Sequence, residues 1–530
     1  MHIVNAFQEW SLVSGVTVLH ENEAMEKFAA NTIGAKRRIL GVLGAQTVSQ
    51  VQAIVAIANK NKIPLYPISG GRNWGYGSAV PTTNNCVILD LSSMNNILEL
   101  NEELSYVTLE PGVTQEQLHE YFKRCGSRHM VPTTGAGPQG SIIGNALEKG
   151  YGITPHEDHF EAMLCLKAVL PSGEIYESAL AKFGGYRSDT LFRWKIGPYL
   201  EGLFAQGNVG IVVQATIALA QKPREITQFL VFIDDKHFED AITGMASIKK
   251  NLGSLLGGVN IMNKRRLLAM IEKKQEWIGG ETLPEVHIRA LAKKRNLSDW
   301  VIMGGLYCPN EVSHGAISFI RSEFRSVSKY TVFLNRKKVN LLKKLLSFLP
   351  VPKLKGLVSS LERALDILEG VPSTVALALA YLKNHHKSPV RDNLSPDKDE
   401  CGLIWYSPLL PVEASFVRDY TQEITRICLS KGIEPLITLT TISERCFDST
   451  VPILFDQNDE DESARARECH RLLLDLSKEM GVFPYRVDID TMRKEFDQAE
   501  GACFTMMQKI KKAIDPNNII APGRYIKHIP

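Results

Sequence analysis

Residues 65–79 read LYPISGGRNWGYGSA. Ser69, Gly70, Gly71, Gly75 and Gly77 crowd this span, with Arg72, Asn73, Trp74 and Tyr76 set among them. Glycine lets backbone amides approach a ligand closely and take up φ > 0, and a run of such amides forms an anion-binding nest. Two readings stand open on this span alone: a glycine-rich hairpin, or a loop that cradles a phosphate or pyrophosphate.

The flanking sequence supplies a mixed architecture. Upstream, TVSQVQAIVAIANKNK (47–62) sets Val48, Val51, Ile54, Val55 and Ala58 at helical spacing, with Thr47 as N-cap. Downstream, NCVILDLSSM and SYVTLEPGV read as strands, and TQEQLHEYFKRCG as a helix after Thr114. EAMLCLKAVL and GEIYES pair across Pro171-Ser172-Gly173, a hairpin signal. GNVGIVVQATIAL (207–219) reads as a glycine-led buried strand. Strands and helices do not alternate as a doubly wound sheet requires, so the pattern is α+β.

Beyond residue 223 the texture changes. TQFLVFIDD, GLIWYSPLL and PLITLTTI read as strands. FEDAITGMASIKKNL, a region near 286–296, VNLLKKLLSFL and FVRDYTQEITRICLSKG read as helices. Pro350, Pro352, Pro389 and Pro396, with the charged stretch 391–400, mark extended connections. The run DQNDEDESARARE (456–468) reads as a solvated helix start and face. A helix over 495–513 is followed by DPNNIIAPGRY.

Composition narrows the function classes. A chain of 530 residues has room for two or three domains. Its net charge of +3, from 61 basic against 58 acidic residues, gives no footprint for nucleic acid or a membrane surface. Nine scattered cysteines without a C-x-x-C pair argue against a disulfide framework, a zinc ribbon or a c-type haem. The first residues, MHIVNAFQEWSLVSGV, lack the pattern of a signal peptide, and no window reads as a spanning helix. A soluble, cytoplasmic protein is the expectation.

GAGPQG (135–140) is a lone G-x-G-x-x-G, followed further on by Glu157 and Asp158. The preceding HMVPTT is a poor strand and Pro138 removes a backbone N–H, so a Rossmann fingerprint is disfavoured. His156 and His159, in TPHEDHF, have no third ligand in any recognisable pattern, and a hydrogen-bonded or packed pair is expected rather than a metal site. His385-His386 reads as a surface loop pair. There is no Walker A, no G-x-S-x-G and no catalytic cysteine context.

Four motifs in order join these pieces: the glycine-rich span, GPQGSIIGNALEKGYGITPHEDHF, IGPYLEGLFAQGNVGIV and DPNNIIAPGR. Together they resemble the flavoprotein family of vanillyl-alcohol oxidase, p-cresol methylhydroxylase and eugenol oxidase. The resemblance is strong over 40–220 and 480–525 and thin between. It implies an α+β fold, with an FAD-binding domain of the methylhydroxylase type over 1–222, a substrate or cap domain with a large antiparallel sheet over 223–490, and a C-terminal segment, 491–530, returning to the first domain. FAD would be held by Ser69, Gly70, Gly71, Arg72, Asn73, Trp74, Gly75 and Gly77 at the pyrophosphate. Pro138, Gly140, Ser141, Gly144, Asn145, Gly210, Ile211, Val212 and Arg524 would line the rest of it.

The resemblance also implies a substrate clamp. Phenol-oxidising members grip a phenolate oxygen with a tyrosine of the glycine-rich loop and a later Tyr-Arg pair, which fall here on Tyr76 and on Tyr485 and Arg486. Two hydroxyl donors and a permanent guanidinium charge favour the anion. Ionising a phenol of pKa about 10 near neutrality takes about 4 kcal/mol, within reach of charge-assisted bonds at about 1.5–3 kcal/mol each. The implied reaction takes a hydride from the benzylic carbon of a para-substituted phenol to flavin N5 through a quinone methide. Oxidative decarboxylation of a tyrosine-derived acid, as in some natural-product members, and oxidation of a non-phenolic alcohol are the alternatives. The electron acceptor, oxygen or a separate protein, stays open, and a homo-oligomer is expected.

Two departures stand out. Relatives attach the flavin through a cap histidine or tyrosine, whereas those positions hold Leu403 and the region of Ser395, and Arg72 replaces a loop histidine found in berberine-bridge-type relatives. Dissociable FAD is therefore expected, unless Tyr381 or His386 is brought in by another loop path. The usual acid–base positions fall on Ala136, Thr438 and Phe447, so the clamp survives without its customary base.

Overall fold

The computed structural model describes residues 2–272, 277, 282–347, 352–384 and 394–528. Pro350, Pro389 and the His385-His386 pair lie outside them. The fold is α+β and rests on three sheets.

The first is a four-stranded sheet in the order Thr17–His20, Ile39–Gly44, Cys86–Asp90, Leu65–Ile68, with its last three strands parallel. The helix Val48–Asn61 covers it, burying Val51, Ile54, Val55 and Ala58. Thr47 caps that helix by accepting from the Gln50 amide at 3.3 Å. The C-terminal segment completes this layer. Leu65 N donates to Ile519 O at 2.6 Å, and Ala521 N to Leu65 O at 2.8 Å. The DPNN motif holds that return. Asp515 accepts from the amides of Ile519 at 3.0 Å and Ile520 at 2.8 Å, and buried Lys511 donates to Ile520 O at 2.7 Å and Asn208 O at 2.6 Å.

The second sheet has five antiparallel strands, ordered Ile97–Asn101, Tyr106–Leu109, Ile211–Ala218, Met163–Val169, Ile175–Tyr176. The hairpin turn at Pro171–Gly173 is present, with Gly173 at φ +88°. The helix Gln115–Cys125, capped by Thr114 and closed by Gly126 at φ +71°, buries Leu118 and Phe122 in one cluster with Val107, Leu109 and Ile217 of this sheet. No strand precedes GAGPQG, which removes the context a Rossmann fingerprint needs.

The third sheet is antiparallel and has eight strands. Its main order is Ser328–Leu334, Thr227–Ile233, Trp300–Leu306, Asn260–Asn263, Thr438–Thr441, Cys446–Asp456, Cys401–Tyr406, and Leu409–Pro411 pairs at the side of Cys446–Asp456. Helices Phe238–Leu252, Ala414–Ser430 and Glu460–Glu479 pack on one face around Phe229, Ile302, Phe447 and Ile453. The other face is turned toward the glycine-rich loop.

Two local expectations are corrected. The helix over 495–513 is two helices, Ile489–Gln498 and Ala502–Ile514, because Gly501 at φ +117° breaks the path. The acidic run does start a helix, capped by Asp459, but Glu462 leaves the solvated face. It is buried and accepts from the Asp456 amide at 2.8 Å. Among the described residues no helix is long and apolar enough to cross a membrane.

Candidate active site

A cavity of about 560 Å³ runs from the glycine-rich loop to the inner face of the eight-stranded sheet. Strand periodicity decides what faces it. Asn260 and Met262, Met303, Thr438 and Thr440, Asp448 and Thr450, and Leu403 and Trp405 alternate along five strands and all line it. The intervening residues, such as Phe447, go into the helix-covered core.

The loop end is built to receive an anion. Ser69, Gly70, Gly71, Arg72, Asn73 and Trp74 line the cavity, and among the described residues their amides have no protein partner. A Cβ built on Gly70 meets nothing within 4 Å, so this glycine faces open cavity. Gly71, at φ +67°, makes the turn. Gly75 and Gly77 stand behind the wall instead. The Gly75 amide is spent on Thr32 Oγ1 at 2.7 Å, a Cβ there would sit 2.2 Å from the Trp405 ring, and Gly77 backs onto Ile489. The nest is therefore shorter than the glycine pattern suggests.

Gly140, Ser141, Gly144, Asn145, Gly210, Ile211, Val212 and Arg524 also line the cavity. Pro138 does not, since its carbonyl accepts from the Glu116 amide at 2.9 Å at the start of helix Gln115–Cys125. Arg524 is positioned by Tyr66, to whose hydroxyl it donates at 2.7 Å, and by Glu148. This arrangement fits FAD: free amides in a glycine turn, an open strip beside them, and a cavity of cofactor size.

At the other end the structure brings Tyr76, Tyr485 and Arg486 together. The Arg486 guanidinium stands 4.2 Å from the Tyr76 ring centre and donates to Asn73 Oδ1 at 2.7 Å, while its buried Nε makes no hydrogen bond among the described residues and faces Glu148 at 3.9 Å. Tyr76 Oη lies 3.4 Å from Ser407 Oγ, and the Tyr485 ring meets Tyr151 edge-on at 5.4 Å. Burial pushes the Tyr76 hydroxyl up, partly offset by Arg486, and pushes Tyr485 well up, reinforced by Asp448. Both stay protonated donors at neutral pH. Burial pulls on Arg486 in the opposite sense, but Tyr76, Tyr485 and Tyr525 outweigh it, so the guanidinium keeps its charge.

Two cavity residues escaped sequence reasoning. Asp448 adjoins Phe447, the position to which spacing assigns an acid–base residue, yet Phe447 lies in the core and Asp448 faces the cavity. Asp448 Oδ1 is buried without a partner, and burial raises its carboxyl to about 7, with Thr450 and Arg486 pulling the other way. The second is Arg266, whose only sequence signal is a run of three basic residues, Lys264-Arg265-Arg266, at the start of helix Lys264–Ile271.

Leu403 lines the cavity, and Ala136 and Thr438 do as well. Tyr381 is absent from its lining. That hydroxyl donates to Asp399 Oδ2 at 2.5 Å and accepts from the Ser395 amide at 2.8 Å. His386 lies outside the described residues. His159 is buried, with Nδ1 2.7 Å from Asn145 Nδ2, and serves the cavity wall through that contact. Among the described residues no group of three or more His, Cys, Asp or Glu could hold a metal.

Comparison with known proteins agrees with this geometry. Residues 39–179 match the FAD_binding_4 family, described as an FAD binding domain. The 1'-carboxy-chondrochloren decarboxylase of Chondromyces crocatus is 32% identical over 500 residues, 93% of this chain and 92% of that protein. The 4-cresol dehydrogenase (hydroxylating) flavoprotein subunit of Pseudomonas putida is 26% identical over 488 residues, 91% and 86% of the two chains. The structure of 4-ethylphenol oxidase from Gulosibacter chungangensis, an isoeugenol complex, superposes with a TM-score of 0.88 at 23% identity, covering 99% of this chain and 97% of that one.

Proposed function

The chain belongs to the vanillyl-alcohol oxidase/p-cresol methylhydroxylase family and is an FAD-dependent oxidoreductase, and we propose that it takes a hydride from the benzylic carbon of a para-substituted phenol. In this reading residues 1–222 and 491–530 form the FAD-binding unit and 223–490 the cap over the substrate. The amides of residues 69–74 hold the pyrophosphate, and Gly140–Asn145, Gly210–Val212 and Arg524 hold the rest of the cofactor. FAD supplies a two-electron acceptor for the hydride.

The observation that carries the proposal is the spare donor capacity around Tyr76. Arg486 keeps a buried Nε that makes no hydrogen bond among the described residues, with Glu148 no nearer than 3.9 Å, beside two protonated tyrosines. These groups stabilise a phenolate, and the phenolate in turn pushes electrons toward the benzylic carbon. Asp448 is the proton acceptor. Above about pH 7 it is ionised and can take the phenolic proton, leaving a neutral buried acid beside the new anion.

FAD is held without a covalent bond in this proposal. Leu403 offers no nucleophile, and the Tyr381 hydroxyl is engaged by Asp399 and Ser395.

A second reading, oxidative decarboxylation of a tyrosine-derived acid, is favoured by Ala136 and Thr438, cavity positions whose side chains cannot act as a base toward carbon. The similarity to a decarboxylase supports it further. After the hydride leaves, the C–CO₂⁻ bond pair forms the new double bond, the ring regains its phenolate, and carbon dioxide departs. No base is needed.

Anaerobic stopped-flow reduction with a panel of 4-substituted phenols, with carbon dioxide measured, tests both readings. Bleaching of the flavin by such phenols is expected. Bleaching by alcohols alone would overturn the phenol assignment, and reduction by an acid without carbon dioxide would overturn the second reading.

A further inference from the structure

The cavity contains a cation that no described residue neutralises. Arg266 lies in the first turn of helix Lys264–Ile271, where its amide donates to the N-cap Asn263 Oδ1 at 2.9 Å. Its side chain lines the cavity, is 8% exposed, and leaves both Nε and Nη1 buried without a hydrogen-bond partner among the described residues. The adjacent Arg265 is fully engaged, donating to Glu434 at 2.6 Å, Glu285 at 3.1 Å and the Leu283 carbonyl at 3.1 Å. The nearby described acids thus serve residues 264 and 265, and residue 266 lines the cavity instead. A guanidinium buried unpaired is costly unless something else supplies the anion.

Other unsatisfied groups accompany it. Thr438 Oγ1 and Asn260 Oδ1 are buried in the cavity wall without partners. Sheet register places them relative to the phenol clamp. Asp448 pairs with Thr440, which pairs with Asn260, and this row adjoins Tyr485 and Arg486. The next row, Thr450–Thr438–Met262, is two residues on, roughly 7 Å away. Helix Lys264–Ile271 begins just past Met262. Arg266 therefore lies beyond the second row, on the side away from the clamp. Two cations bracket one cavity, with Met262 and Met303 between them.

We propose that Arg266, with the Thr438 hydroxyl, forms a carboxylate-binding subsite, so that the para substituent of the phenol carries an acid group reaching away from the clamp. This rests on the phenol reading of the same cavity. A planar guanidinium suits a carboxylate because it offers paired donors in fork geometry. Met262 and Met303 then cover the short apolar linker that joins ring to acid.

The test is anaerobic titration of the FAD-loaded enzyme with 3-(4-hydroxyphenyl)propanoate, its amide, and 4-propylphenol. Flavin reduction is followed alongside the ligand-induced rise in unfolding temperature. The acid is expected to bind about 10- to 100-fold more tightly than the amide, the range of a charge-assisted pair. Arg266→Gln should abolish that preference while leaving 4-propylphenol unchanged, and Arg266→Lys should restore part of it. Gln conserves much of the volume and removes a buried charge that no described residue pairs, so the variant should fold at least as well. An acid that binds no better than its amide, or an Arg266→Gln loss shared by all three ligands, overturns the subsite while the phenol reading stands. Reduction by none of the three overturns both.

Discussion

The Arg486 guanidinium stacks 4.2 Å from the centre of the Tyr76 ring, joining residues 410 positions apart in the chain. The glycine-rich loop and a segment late in the chain thereby meet at one point of the cavity. Each brings a donor; Glu148, whose nearest oxygen is 3.9 Å from Arg486 Nε, also pairs with Arg524, and the buried Asp448 carboxyl lies within electrostatic reach of Arg486.

Removing either arm of this contact should cost rate rather than fold. A charge-assisted bond to the phenolate is worth about 1.5–3 kcal/mol, or about 10- to 150-fold. Arg486→Ala and Tyr485→Phe should each slow anaerobic flavin reduction by a phenol within that range. Unchanged rates in both variants would remove the clamp assignment.

Asp448 makes the site sensitive to pH. Burial raises its carboxyl from 3.8 to about 7, so its stabilising contribution is complete below pH 4 and is lost as pH rises through about 7. The loss amounts to on the order of 4 kcal/mol at about 1.4 kcal/mol per unit. Asp448→Asn stays neutral throughout. Its stability advantage over the natural protein should grow between pH 4 and 7 and then level off in thermal unfolding. The reduction rate should rise through about pH 7 in the natural protein and lose that inflection in the variant. Parallel stability curves would show that Asp448 does not titrate in this window.

The two kinds of glycine in the loop separate binding from folding. At Gly70 a methyl group enters open cavity, so Gly70→Ala should fold normally and retain FAD more weakly. At Gly75 the methyl group meets the Trp405 ring at 2.2 Å on a backbone with φ +78°. Gly75→Ala should cost about 1–3 kcal/mol or more of stability. Equal FAD affinity in Gly70→Ala and the natural protein, by flavin fluorescence on dilution, would place the pyrophosphate elsewhere.

Dissociable flavin is checked directly. Acid precipitation should release yellow colour to the supernatant, because Leu403 and Arg72 replace two linking residues and the Tyr381 hydroxyl is held by Asp399 and Ser395. Colour kept in the pellet would contradict it.

Local features were readable in the sequence because their causes are local. Thr47 and Thr114 cap the helices that follow them, and Gly173 turns the hairpin it interrupts. The glycine-rich loop was readable in kind but not in extent, because Thr32, distant in sequence, takes the Gly75 amide. Asp448 was missed for a different reason. One residue along a strand exchanges core for cavity, and spacing counted to Phe447. Arg266 could not be distinguished from Arg265 without knowing that Glu434 lies beside the latter.

The C-terminal return is the last element that can be put to the test. Lys511 is buried and donates to Asp515 at 2.5 Å and to the carbonyls of Asn208 and Ile520. Asp515 in turn receives the amides of Ile519 and Ile520, which bridge to Leu65 on the strand leading into the glycine-rich loop. Lys511→Met leaves a buried carboxylate without its cation and should cost about 3–5 kcal/mol. Because Asn208 also donates to the Arg524 carbonyl at 2.9 Å, the loss should reach the cavity and weaken FAD retention. Adding Asp515→Asn removes the stranded charge and keeps one of the two acceptor oxygens that receive the amides of Ile519 and Ile520, so the double variant should recover part of the stability. A double variant no more stable than Lys511→Met would mean that the lost carbonyl contacts, and not the unpaired charge, set the cost.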